Sequence, residues 1–301
     1  MNRNFTKKDY TEQDYYILNI KIHSDEENKQ ELYTNLMFQI FNFTDFNVKI
    51  GNKLGLDLKK CNKTSINKSI LGSEFDSLDY NQYEIFECQF IKYKIEDEND
   101  KHYDTVKKVI KSANPNAPIK PNAHEIDFYF IPAIHRLLLP LNTKISPKQV
   151  ELFFNQALLK IFEKSSFFNI DIAKSIEAVE KIFTFKSLDK LQLEISYTND
   201  DLGDDEKLFM DALLKESNVN KYKAVFDSEK KESLNLESRL IKGGIELSKE
   251  NGTLKAIGTN DFGNKTIVNT KNEFEEFKVK IINEINPLIS ILKDSLRKWR
   301  L

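Results

Sequence analysis

Apolar and polar positions alternate along this chain with two different periods, and the period switches often. From Tyr15 to His23, Ile17, Leu18, Ile20 and Ile22 enclose Asn19 and Lys21, the two-residue rhythm of a strand. Ser24-Asp25-Glu26-Glu27 then offers an N-cap and an acidic first turn. Leu32, Leu36, Ile40 and Phe43 follow at helical spacing. Phe46–Ile50 reads as a short strand, 57–72 is polar and fits neither period, and 80–95 alternates as one long strand or a bulged one. Tyr103–Ser112 reads as a short basic helix, and the three prolines Pro115, Pro118 and Pro121 require a loop. The central stretch His124 to Pro140 reads as a buried strand bent at Pro132.

Beyond it, Ser146-Pro147 opens a helix, because serine caps well and proline suits the first helical position. Short strands are expected at 167–172, 188–197 and 222–226, with helices at 175–183, 204–216 and 236–248. Residues 252–258 and 265–269 form a hairpin around Asp261-Phe262-Gly263-Asn264. Glu273–Leu301 reads as one long amphipathic helix, kinked or broken at Pro287. Several adjacent strands lack a helix between them. The pattern therefore predicts an α+β fold, with mixed sheets, flanking helices and a long C-terminal amphipathic helix. A division into 1–142, rich in strands, and 143–301 fits the pattern, as does one continuous domain.

Composition narrows the picture. The chain has 301 residues, 40% of them hydrophobic, enough to build a sizeable core. The net charge of −2 removes any global drive toward nucleic acid, so such affinity needs a local patch. Cys61 and Cys88 are too few for a disulfide framework or a cysteine zinc site, which fits a reducing, cytoplasmic setting. Neither a secretory leader nor an apolar run long enough for a membrane helix is seen, so no membrane partner is expected.

Two constellations stand out. His135-Arg136 pairs an imidazole with a guanidinium, a combination that binds phosphate and moves a proton in a metal-independent ribonuclease. The plainer reading is a strand-end pair satisfied inside the core. The second is basic: Lys107, Lys108, Lys111 and Lys120 surround the proline-rich loop, and Lys293, Arg297, Lys298, Trp299 and Arg300 close the chain. Cations beside an aromatic suit a nucleic-acid backbone and a stacked base, DNA or RNA. A solvated face explains the same residues. The C-terminal helix also has a stripe broad enough to pair with a copy of itself, with Trp299 as anchor. Glu125 and Asp127 share a strand face that suits magnesium, but a third ligand is missing. Glu276 and Lys278 form an E-x-K on what reads as helix, and the acids of 200–206 suit a helix N-terminus better than a calcium loop. With no phosphate loop and no nucleophile elbow, neither a metal nor a cofactor is expected.

An ordered series of short motifs resembles the uncharacterised bacterial domain-of-unknown-function family 4747. They are Leu18-Asn19-Ile20-Lys21-Ile22, Tyr129-Phe130-Ile131-Pro132 with His135-Arg136-Leu137, Ser146-Pro147, Leu191 to Asn199, Gly252 to Gly258 and Thr266 to Thr270. The resemblance runs over most of the chain, brings no established active site, and implies an anti-phage gene neighbourhood. The expectation is an intracellular defence-type protein that binds nucleic acid or a phage-derived partner as an oligomer. Two alternatives stand beside it: a metal-independent endoribonuclease using His135 and Arg136, and a regulatory partner of an enzyme from the same operon.

Overall fold

A computed structural model describes residues 10–24, 26–43, 46–196, 205–217, 219, 221–229 and 232–300. The acidic residues 200–204 lie outside that set. In chain order the elements are β1 (Tyr10–Ile22), α1 (Lys29–Phe41), β2 (Val48–Gly51), β3 (Leu54–Asn67), α2 (Lys68–Leu71), β4 (Gln82–Lys94), β5 (Lys101–Asp104), β6 (Val109–Ser112), β7 (His124–Ile131) and β8 (Arg136–Pro140). The second half adds α3 (Pro147–Phe162), β9 (Phe168–Ile172), α4 (Ile176–Glu180), β10 (Ser187–Ile195), α5 (Asp205–Glu216), β11 (Tyr222–Asp227), α6 (Arg239–Asn251), β12 (Gly252–Thr259), β13 (Lys265–Asn269), β14 (Glu276–Ile282) and α7 (Pro287–Arg300). The fold is α+β, as the pattern predicts.

The large sheet runs β14-β1-β8-β7-β4-β3-β2, with β9 also on β1. Strand β1, second from one end, is long enough to serve three partners. Tyr10–Tyr16 pair with β14, Tyr15–Asn19 with β8, and Leu18–Ile22 with β9. Strands β9 and β14, both from beyond residue 143, thus share one edge of β1.

The two faces of β1 separate because successive side chains point opposite ways. Leu18, Ile20 and Ile22 pack with Tyr33, Met37 and Ile40 of α1 and with Phe153, Phe154 and Leu158 of α3. Tyr15 and Ile17 pack with Phe277 and Val279 of β14 and with Ile291, Leu292, Leu296 and Trp299 of α7. A second sheet, β11-β10-β12-β13, is antiparallel throughout; Ile241 and Ile245 of α6 close its core against Leu191, Leu193 and Leu254.

Four local expectations change. Helix α1 starts after Asn28, whose side chain accepts from Glu31 N at 3.2 Å; Ser24 instead accepts from Glu26 N. Tyr103–Ser112 forms the β5–β6 hairpin, not a helix. Asp104 Oδ1 takes the N–H groups of Val106 and Lys107, and Lys108 adopts φ 57°, so the backbone turns where a helix would continue. The central stretch reverses rather than bends: Pro132–Ile134 make a 3-10 turn, His135 takes φ 46°, and β8 returns antiparallel to β7. Proline has no N–H for the ladder, so the strand stops there. Finally, the first part of the expected C-terminal helix is strand β14. Phe277 and Ile281 fit helical spacing, but Phe277, Val279 and Ile281 also fit period two, and pairing with β1 decides. Pro287 opens α7 as its first residue.

Candidate functional site

The β5–β6 hairpin forms a two-stranded sheet of its own, apart from both larger sheets. Its root is tied down by charge. Asp100 accepts from Lys53 Nζ at 2.9 Å, Lys94 Nζ at 3.0 Å and Asp97 N at 3.0 Å, and its own carbonyl receives Ala113 N. These donors hold the Asp100 carboxyl far below the usual range, the Asp97 backbone N–H first among them. Lys94 N donates to Pro121 O at 2.9 Å, fixing the far end of the proline loop to β4. The root is therefore ordered by the body of the protein, and the rest projects.

What projects is basic and apolar together. Residues 101–123 hold five lysines (Lys101, Lys107, Lys108, Lys111 and Lys120) against the single Asp104, a net +4 on a chain whose total is −2. Lys111 pairs with Asp104 at 2.8 Å, and Lys120 donates to Pro115 O at 2.8 Å. Lys101, Lys107 and Lys108 are exposed. Between them stand Tyr103, Val106, Ile110 and Ile119, exposed by 58%, 88%, 68% and 84%. An isolated hairpin with its apolar side chains in water is marginal by itself, which marks a surface that gains from being covered. Lys101 and Tyr103 were missed in the sequence. Reading 101–112 with period two would have placed both on this ribbon.

The C-terminal cations are arranged differently. Arg297 pairs with Glu74 and Asp294, Lys298 pairs with Glu275, and Arg300 donates to Ala133 O at 2.7 Å. The Arg297 partner holds Glu74 below the usual carboxylate range. Lys293 is half-buried. Trp299 is buried, edge-on to Phe277 at 5.1 Å, with the Arg136 guanidinium 5.6 Å from its ring. The apolar stripe of α7 thus already packs on this chain's own sheet, and most of its cations already hold partners.

His135 and Arg136 lie in the interior, 3% and 1% exposed. The left-handed backbone at His135 makes the corner into β8, and its ring stacks on Tyr33 at 5.5 Å. Its carbonyl accepts Ile20 N at 3.0 Å. Arg136 donates to Asn19 Oδ1 and, at 3.3 Å, to Ile134 O. The structure does not bring this pair to the basic residues' exposed surface. Glu125 pairs with Lys59, and Asp127 accepts from Gln89 at 2.8 Å. Glu276-x-Lys278 sits on a strand, but Lys278 pairs with Glu12 at 3.2 Å. Among the described residues no group of three or more His, Cys, Asp or Glu is placed to hold a metal.

The match to a known family covers residues 11–297 and is to the family described as Domain of unknown function (DUF4747). The chain belongs to that family. No curated protein matches it. Among the described residues no helix is long and apolar enough to cross a membrane.

Proposed function

We propose that this DUF4747 protein binds nucleic acid through the β5–β6 arm, in a role of the anti-phage kind that the family resemblance implies. The supporting observation is the concentration of four lysines (Lys101, Lys107, Lys108 and Lys111) and an exposed tyrosine on a projecting ribbon, with Lys120 on the loop that follows, in a chain whose total charge is −2. Lysines give a sequence-independent grip on phosphates by releasing counterions, and Tyr103 offers a face for a base. A two-stranded ribbon is also narrow enough to enter a nucleic-acid groove.

The test is fluorescence anisotropy with labelled single-stranded DNA, duplex DNA and RNA across a salt series. Native protein binds with an affinity that falls steeply with salt. Lys107→Glu/Lys108→Glu flattens the plot of log K against log salt by about 1.4–1.8, since each of the two lost phosphate contacts contributes roughly 0.7–0.9. Binding that ignores this double substitution, or no binding by the native protein, overturns the proposal. In the second case, capture of a protein on Val106 and Ile119 becomes the use of the arm.

A further inference from the structure

A cleft of about 360 Å3 lies between the two sheets, walled by β9, the start of α3, the end of β10 and the α6–β12 junction. Its lining is polar, and most of that polarity is already committed. Lys21, fully buried on β1, pairs with Asp171 at 3.1 Å and reaches Ser196 Oγ at 3.3 Å. Ser196 Oγ in turn donates to Asp171 at 3.2 Å. Glu194 is paired with Lys221 and Lys223. Asn155 Nδ2 donates to Glu151 O at 2.9 Å.

Among the described residues, three groups on the wall keep bonding capacity that a charged ligand could use. The first is set by a chain of donors that starts at Arg136. Guanidinium only donates, so Asn19 must turn its oxygen to Arg136 and its amide nitrogen onward. Asn19 Nδ2 then donates to Asn251 Oδ1 at 3.1 Å, which fixes Asn251 with its Nδ2 onward again. Asn251 is fully buried and lines the cleft, and among the described residues no acceptor meets its Nδ2. Its backbone is held as well: Asn251 O accepts Ser196 N at 2.9 Å, and the next residue is glycine because a Cβ there would stand 2.1 Å from Glu194 O. A fixed, buried amide donor without an acceptor costs stability unless something fills the role.

The second and third groups are Lys174 and Glu151. Lys174 is 5% exposed, and its ammonium lies 4.9 Å from the Phe274 ring. Burial pushes its pKa down to about 8, with Glu151 and Asp171 opposing. Burial pushes Glu151 up, with Lys174 opposing. The two sense each other across the cleft without forming an ion pair.

We infer that this cleft binds a free α-amino acid. Its carboxylate would take the Asn251 amide and the Lys174 ammonium, and its amino group would take Glu151. An acceptor oxygen answers the orphan donor, and a zwitterion answers a lysine and a glutamate that do not close on each other. The cavity is at the small end of ligand sites, which suits a compact metabolite. The inference is independent of the arm.

The experiment uses the full chain with each of the twenty α-amino acids, and with propionate and ethylamine as compounds carrying one pole. Thermal shift selects binders and titration calorimetry measures them. At least one amino acid binds, neither one-pole compound does, and Lys174→Met and Glu151→Gln each weaken binding tenfold or more. Glu151 is only half-buried, so its variant keeps the test open if Lys174→Met or an Asn251 variant fails to fold. Failure of every amino acid, equal binding of a one-pole compound, or unchanged affinity in a folded Glu151→Gln overturns the inference.

Discussion

Lys174 shows most directly how position rewrites a side chain. Free in solution its ammonium would titrate near 10.5; beside Phe274 and out of water it titrates near 8. The folded protein therefore holds this proton less tightly than the unfolded chain does. Burial of the charge costs stability in full below about pH 8, and the cost fades as pH rises toward 10.5. Lys174→Met removes the cost. Its urea midpoint is expected to exceed that of the native protein by the most at pH 7, and the gap narrows between pH 8 and 10. The comparison is made in glycine-free buffer, so that no amino acid occupies the cleft. A gap that stays constant with pH would show that Lys174 keeps its ordinary affinity for the proton. Arg136 differs from Lys174 in that its acceptors, Asn19 Oδ1 and Ile134 O, are buried with it. It holds the interior together, and through Asn19 it orients Asn251.

At the scale of elements, α7 and the β5–β6 arm divide the basic residues into two kinds. Those of α7 mostly brace the fold; Lys101, Lys107 and Lys108 of the arm face water. Trp299, the only tryptophan, separates the two by its fluorescence. Buried against Phe277, it is expected to emit in the blue-shifted range and to resist acrylamide. Adding nucleic acid leaves that emission unchanged if the arm is the contact. Quenching on addition would mean that a base stacks on Trp299, which requires α7 to leave its sheet.

Such distinctions were only partly legible in the sequence. The Ser146-Pro147 start of α3 was, because its signal is local: Ser146 and Gln149 close a reciprocal capping box. The β12–β13 hairpin was legible for the same reason, through its turn residues. Strand β14 and the arm were not. Glu276–Ile282 satisfies both periods, and what chooses between them is β1, more than 250 residues away. The cleft was harder still. Asn19 and Lys21 alternate with isoleucines as a solvated strand face would, and nothing nearby says that α6 and β10 bring Asn251 and Ser196 to cover them.

For the whole molecule, the decisive feature is that β1 is completed from the far end of the chain. Between Tyr10 and Ile22 one of its edges is filled by β14 and β9, and the face carrying Leu18, Ile20 and Ile22 is covered partly by α3. All three elements lie beyond residue 142. A fragment 1–142 would retain β1–β8 and α1 but expose that edge along nearly its whole length. It would also uncover the cluster that Phe153, Phe154 and Leu158 close, and the opposite one that Ile291, Leu292 and Leu296 close. Removing a single buried leucine or phenylalanine side chain costs on the order of 2–5 kcal/mol, against a typical total stability of about 5–15 kcal/mol, and the fragment lacks several at once. An open, apolar strand edge is also a template for aggregation. The fragment is therefore expected to be insoluble or to lack a cooperative thermal transition, whereas the full chain melts its large sheet as one unit. A soluble fragment 1–142 with dispersed amide resonances and its own sharp transition would instead make 142/143 a true domain boundary. It would also mean that β9, β14 and α7 dock onto a preformed sheet rather than complete it.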